Sequence, residues 1–240
     1  MKVNSKNKSL TNLKIIIPVY NEEGAITEVI NDWTSTLDKL EIDFLIYAFN
    51  DGSKDNTLQI LQDLSKNNKK LIVVDKLNSG HGPTILKGYK ENLDTEWLFQ
   101  IDSDNELKAN EFEKFWRQRL DFDFLIGHRI HRDSPLPRII TTAISRLTVG
   151  FFYGNRVKDV NAPFRLMRTS KFMDDILKIP ANTFAPNLIV AGIANIRKLR
   201  IKQLKVTHYN RETGEVSIQK WNLLKAAFKS LLQTIAFRFK

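Results

Sequence analysis

Three carboxylates fall within five residues at Asp102-Ser103-Asp104-Asn105-Glu106. Acidic side chains this close repel one another unless a cation or basic groups compensate them. Hard oxygen donors suit magnesium or manganese, and both ions readily share their coordination shell with substrate phosphates. A short acidic turn is also common as a solvated loop or helix cap, so the metal reading depends on where the fold puts it. Two more segments carry the same double meaning. Asn50-Asp51-Gly52-Ser53-Lys54-Asp55-Asn56-Thr57 is rich in turn formers, with Asp55 placed to cap a following helix. In a ligand pocket, the Asp51 carboxylate would instead accept hydrogen bonds from a nucleobase. Pro18-Val19-Tyr20-Asn21-Glu22-Glu23 reads either as a helix start with an acidic first turn or as a base and ribose pocket using Tyr20 and Glu22.

Other chemistries find less support. Gly80-His81-Gly82 opens like a dinucleotide fingerprint, but Ile85 stands at its third glycine and Pro83 starts a helix instead. His128 and His131 form an HxxH pair on a basic segment with no obvious third ligand, which argues against zinc. The 240 residues include no cysteine, which removes disulfides, thiolate zinc sites and cysteine nucleophiles. There is no serine nucleophile elbow and no Walker loop.

The elements that must position these segments alternate. Apolar runs at 13–19, 44–49, 71–74, 97–101 and 122–126 predict strands. Ile26, Val29, Ile30, Trp33, Leu37 and Leu40, then Leu58, Leu61 and Leu64, recur at three- and four-residue spacing and predict helices between them. Such alternation implies an α/β domain with a mostly parallel, Rossmann-like sheet and helices on both faces. Ligands in such sheets bind beyond the carboxyl ends of the strands. The loops 18–24, 50–56, 78–83 and 102–106 should therefore crowd one edge. Beyond residue 128 the pattern is less regular: a basic loop at 129–138, a helix at 139–152, a polar turn and short strand at 159–168, and a helix and strand within 183–207.

The net charge of +10 is unevenly placed. Residues 1–120 hold sixteen basic against nineteen acidic side chains, and residues 121–240 hold twenty-one against eight. The second half is thus suited to an anionic partner, whether a phosphorylated substrate, an acidic membrane surface or a nucleic acid. Nucleic acid is disfavoured, because interleaved aromatic platforms are lacking. The polar N-terminal residues lack the apolar run expected of a secretory signal, and no run reaches the roughly 18 apolar residues of a membrane span. A cytoplasmic chain lying peripherally on the inner face of a membrane is expected. In the tail, Trp221, Leu224, Phe228, Leu231, Leu232 and Ile235 share one helical face, while Lys225, Lys229 and Lys240 can reach anionic headgroups. The same stripe also suits a terminal helix packed on its own domain or on a second copy, so self-association stays open.

In chain order the segments IIIPVYNEEGAI, NDGSKDNT, NSGHGPTILKGY, QIDSDNE, GHR, DVNAPFRLMR and HYNRETGEVSI resemble the family 2 glycosyltransferases of the GT-A fold. The dolichyl-phosphate mannose synthase-like branch, which loads sugar onto polyprenyl phosphate, is the most similar. The resemblance implies a GT-A domain at 13–218, flanked by the polar stretch 1–12, expected to be flexible, and by the amphipathic basic helix expected at 219–240. It implies that Pro18, Tyr20, Glu22 and Asp51 hold the nucleoside of a nucleotide-sugar donor. Asp102 and Asp104 would face the sugar-diphosphate and Mg2+ or Mn2+, and Glu106 matches a metal-ligand position. Arg129 and Arg138 would grip donor or acceptor phosphate, while Arg165 and Arg211 lie in matched motifs as substrate-binding or structural arginines. The acceptor would be lipid-linked, with a glycan hydroxyl as the alternative and Asp159 or Asp133 as its general base. Asn161-Ala162-Pro163-Phe164-Arg165 departs from the usual small-Ser-Gly-Phe-Arg run, and no acidic residue occupies 200–206 ahead of the last core strand.

Overall fold

A computed structural model describes residues 12–130, 136–209 and 220–239, with backbone alone at 136–142 and 220–227. Its strands are β1 Leu13–Val19, β2 Phe44–Asp51, β3 Leu71–Lys76, β4 Trp97–Gln100, β5 Phe124–Ile130, β6 Arg165–Arg168 and β7 Ile201–Thr207. Its α-helices are α1 Ile26–Lys39, α2 Thr57–Asn67, α3 His81–Glu91, α4 Glu113–Gln118, α5 Leu136–Tyr153, α6 Met173–Lys178, α7 Pro186–Ile196 and α8 Lys220–Arg238. The strands form one sheet in the order β3-β2-β1-β4-β6-β5-β7. β1 to β4 pair in parallel, and β5 pairs with β7 in parallel. β6 runs antiparallel between β4 and β5, a reversal that the mostly parallel expectation did not include.

Both faces of the sheet are covered, as period-2 alternation in a central strand requires. Leu13, Ile15, Ile17 and Val19 of β1 join one core with α1, α2 and Phe112 and Phe115, while Ile16 joins the other with α3, α5, α6 and α7. Pro18 is tolerated in this central strand because β4 stops pairing at Ile16, leaving no ladder bond there to lose. An aromatic chain ties α1 to the middle of the sheet. Trp33 lies 5.1 Å from Phe99, Phe99 lies 4.8 Å from Phe164, and Phe164 lies 4.8 Å from Phe115. Each such pair adds about 0.5–1.5 kcal/mol beyond burial, so β4 gives the acidic loop a rigid base.

The basic segment 129–138 is not one loop. Arg129 and Ile130 complete β5 by pairing with Val206 and Thr207 of β7, and α5 opens at Leu136 with Pro137 in its first turn. Arg138 is therefore helical.

The apolar stripe expected to face one way on α8 is divided. α8 packs against α5 and α7. Among its described side chains Ser230 and Thr234 are the buried ones, and their small size lets the helices approach closely. The Tyr153 hydroxyl donates to the Thr234 carbonyl at 2.5 Å, Gln233 accepts from the Phe184 N–H at 2.7 Å, and Arg238 donates to the Phe152 carbonyl at 3.1 Å. Phe228 and Leu232 point outward instead, each more than half exposed, as are Leu147 and Phe151 of α5. Among the described residues, no helix is long and apolar enough to cross a membrane.

At the amino edge, Asp123 ties β5 to β7. Its carboxylate accepts from the Arg200 backbone at 3.1 Å and from the Arg200 guanidinium at 3.0 and 3.2 Å. The hydrogen bonds from Arg200, outweighing burial, hold this carboxyl below the usual carboxylate range. A depressed folded pKa contributes stability above the unfolded value of about 4, and the contribution disappears as pH falls through the folded value. Asp123→Asn should therefore unfold at lower urea than wild type at pH 6, with the gap closing below pH 4. Urea midpoints at the two pH values check it.

Candidate active site

The four loops at the carboxyl edge of β1 to β4 are joined to one another by side-chain and backbone bonds. Asn21 N–H donates to Ser53 at 3.0 Å, Asn21 Oδ1 accepts from Lys54 N–H at 2.8 Å, and Glu22 N–H donates to Thr57 at 2.8 Å. Glu23 accepts from the backbone and side-chain amides of Asn56 at 3.0 and 2.9 Å. The second loop is fixed to the third through Asp51, which accepts from Ser79 N–H at 2.8 Å, Gly80 N–H at 2.9 Å and the Lys76 ammonium. The third reaches the fourth at His81, whose Nε2 is 3.5 Å from Asp102 Oδ1. Each loop also contains one residue in the left-handed region: Asn21, Gly52, Gly80 and Asn105. Glycine, and asparagine next, adopt that conformation at least cost, which is why these residue types punctuate the strand ends.

This geometry gives Asp51 a definite job. Asp51 is 3% exposed and its carboxylate holds three donors of its own chain, so it shapes the loop 78–80. Any contact with a base must share those lone pairs. Pro18 and Glu22 are buried and Tyr20 is half-buried at the same edge.

Asp102 stands at the mouth of β4 with its side chain 28% exposed. Asp104 Oδ1 accepts the Glu106 N–H at 3.2 Å, closing a tight turn. Glu106 Oε2 lies 2.8 Å from His208 Nε2, and Tyr209 N–H donates to the Glu106 carbonyl at 2.9 Å, so β7 and the residues after it back this loop. Among the described residues, no three His, Asp or Glu side chains are grouped to hold an ion by themselves. Asp102 and Asp104 still fit magnesium or manganese, ions that bind through one or two carboxylates and complete their shell with phosphate and water.

Behind the acidic loop lies Arg129, forked onto Asp159 with Nε and NH2 at 2.8 and 2.9 Å. Burial alone would lower its pKa, but the Asp159 hydrogen bonds and the fields of Asp159, Asp102 and Glu106 outweigh it and raise the pKa. Arg129 is thus a fixed positive charge beside the carboxylates. Asp159 serves this fork, which leaves it poorly placed as a free general base. Of the two roles open to Arg165, substrate-binding or structural, its surroundings are those of the second: fully buried, it donates to the carbonyls of Ala162, Val160 and Asn187. The Arg138 side chain, Asp133 and Arg211 lie outside the described residues. A cavity of about 890 Å³ between α1 and α2 contains none of the loop residues and plays no part here.

The sequence of residues 14–178, well over half the chain, matches Glycosyl transferase family 2. The chain belongs to that family. Its sheet and helices are those of the GT-A fold, and solved transferases superpose on it. A Mycobacterium tuberculosis glucosyl-3-phosphoglycerate synthase in complex with Mn2+, UDP and glucosyl-3-phosphoglycerate matches 95% of the chain and 80% of its own at a TM-score of 0.66 and 14% identity. S. aureus TarS 1–349 in complex with UDP-GlcNAc matches 94% and 73% at a TM-score of 0.58 and 19% identity. By sequence, an undecaprenyl-phosphate 4-deoxy-4-formamido-L-arabinose transferase of Pseudomonas fluorescens is 26% identical over 91% of the chain, which spans 63% of that relative's length. A dolichyl-phosphate beta-glucosyltransferase of Trichomonas vaginalis is 23% identical over 93% of the chain and 71% of its own length. Relatives named for polyprenyl phosphates agree with the branch that the motifs resemble.

Sequence reasoning passed over Gln100, Tyr89, Asn187 and His208. The available signal was polar residues inside runs that otherwise read as buried, such as Gln100 in Trp97-Leu98-Phe99-Gln100, because a buried amide needs a partner.

Proposed function

We propose that this family 2 chain transfers one monosaccharide, with inversion, from a GDP- or UDP-linked sugar to a lipid-linked acceptor, polyprenyl phosphate. The carrying observation is the wall of four joined loops ending on Asp102, Asp104 and Glu106, with the buried Arg129 charge behind them. On this reading Pro18, Tyr20 and Glu22 line the nucleoside pocket, and Asp51 keeps the loop 78–80 shaped around it. Asp102 and Asp104 would hold Mg2+ or Mn2+, with Glu106 and its partner His208 bracing the turn. Such an ion, when bound, supplies Lewis-acid neutralisation of charge on the departing diphosphate. Arg129 adds fixed positive potential on the same side, and Arg138 and Arg211 are assigned to phosphate.

A phosphate monoester has its second pKa near 6, so the attacking oxygen is already ionised at neutral pH. No general base is then required, which agrees with the engagement of Asp159 by Arg129. Planar guanidinium forks suit such an acceptor.

Lipid delivery is assigned to a platform shared by two helices. Leu147 and Phe151 of α5 and Phe228 and Leu232 of α8 form outward apolar positions, with exposed Arg146 and Lys229 beside them. An anionic bilayer surface complements both features and the basic second half of the chain. The test offers radiolabelled GDP-, UDP- and dTDP-sugars with Mn2+ or Mg2+ to the full chain, against polyprenyl phosphate in anionic vesicles and against free glycans. Label in the lipid fraction, with the protein co-sedimenting, is expected. Label only in the glycans would move the acceptor to a sugar hydroxyl, and no label with any donor would sink the assignment.

A further inference from the structure

Behind Asp102 lies a chain of buried polar side chains. Gln100 Nε2 donates to Asp102 Oδ1 at 2.9 Å. Asn187 Nδ2 donates to Gln100 Oε1 at 3.1 Å, and the Tyr89 hydroxyl donates to Asn187 Oδ1 at 3.0 Å. Arg165 NH1 fixes the Asn187 carbonyl at 3.0 Å. Gln100, Tyr89 and Arg165 are fully buried and Asn187 nearly so, although the three relay residues come from β4, α3 and α7.

The chemistry of one end dictates the direction of the whole chain. An ionised carboxylate accepts only, so Gln100 must aim its NH2 at Asp102 and its oxygen at Asn187. Asn187 then aims its NH2 at Gln100, and its own oxygen needs a donor. Tyr89 is the group that supplies one. Its 3.4 Å approach to Gln100 Oε1 is the poorer option for its single proton. Burial pushes the Tyr89 phenol up, so it remains protonated throughout the physiological range.

We propose that Tyr89, Asn187 and Gln100 are positioning residues that lock the rotamer of Asp102, so that Oδ1 is held by the protein and Oδ2 is presented to the cleft. Among the described residues, both contacts of Asp102, from Gln100 and His81, fall on Oδ1. The proposal rests on the reading that Asp102 meets the metal and diphosphate of the donor. Partners of this kind, one step behind a ligand, typically alter metal affinity by about 10–100-fold when removed.

Two substitutions test it without emptying the core. Tyr89→Phe deletes one hydroxyl and keeps the ring. Asn187→Asp still accepts from Tyr89 but offers no N–H to Gln100, whose amide should then turn its oxygen toward Asp102. The measurement is calorimetric Kd for UDP, GDP and dTDP, each with and without Mn2+, alongside thermal midpoints. Expected is about a tenfold weakening of Mn2+-dependent nucleotide binding for Tyr89→Phe and a larger one for Asn187→Asp, with metal-independent binding unchanged. Lowered midpoints with unchanged Mn2+-dependent affinity would make the chain mere scaffolding and overturn the proposal, as would wild-type behaviour of both folded variants. Failure of wild-type protein to bind any of the three nucleotides with Mn2+ would instead remove the donor reading, and the relay with it.

Discussion

Asp104→Asn should reduce sugar transfer by about 10³-fold or more while moving the thermal midpoint by no more than about 2 °C. The two effects separate because of how Asp104 sits. Its Oδ1 accepts the Glu106 N–H at 3.2 Å, and an asparagine oxygen accepts the same bond, so the turn 102–106 closes in the variant. What is lost is one negative charge at the position where a divalent ion and a diphosphate would meet. A radiolabel assay with Mn2+ and Mg2+, run beside a melting curve, reads both quantities. Substantial turnover by the folded variant would count decisively against a role for this loop in the chemistry.

A chain cut after residue 218 should melt on the order of 10 °C lower than the full chain. Removing α8 strips the partner from the buried Tyr153 hydroxyl, the acceptor from Phe184 N–H and the cover from α5 and α7. Together these losses should cost about 4 kcal/mol, and for a chain of this size each kcal/mol moves the midpoint by about 2–4 °C. The tail is therefore part of the fold as well as the proposed surface for lipid, and vesicle-binding comparisons that use the truncated chain would confound the two. An unchanged midpoint for residues 1–218 would show that α8 is an appendage after all.

The parallel half of the sheet was legible because its signals are local. Apolar runs of four to eight residues, helical spacing at Ile26 through Leu40, and Gly or Asn at each strand exit specify β1 to β4 and their loops without reference to anything distant. The rest depends on partners far along the chain. Arg165-Leu166-Met167-Arg168 is four residues long and gives no sign of its direction, which is set by pairing with both β4 and β5. Arg165 reads equally as a substrate-binding or a structural arginine, and only the fold shows three backbone carbonyl oxygens accepting from it. The outward turn of Phe228 and Leu232 follows from the close fit of Ser230 and Thr234 against the neighbouring helices, whereas an apolar stripe taken alone predicts the reverse. Asn187 and Gln100 are separated by 87 residues, so their amide pair has no local signature.

Since β6 runs against its neighbours, the segment entering it arrives at the very rim that β1 to β4 leave. The cleft consequently has walls of two kinds, one woven from successive parallel crossovers and one hung from a single reversed strand between Gly154 and Arg165. Lengthening or shortening that segment leaves the register of β1 to β4 unchanged, because none of the ladders joining those four strands passes through it. That segment is nonetheless anchored, since Arg129 forks onto its Asp159 and its Lys158 N–H donates to Gln203, so this side of the rim answers to β5 and β7 while the other answers to β1 to β4.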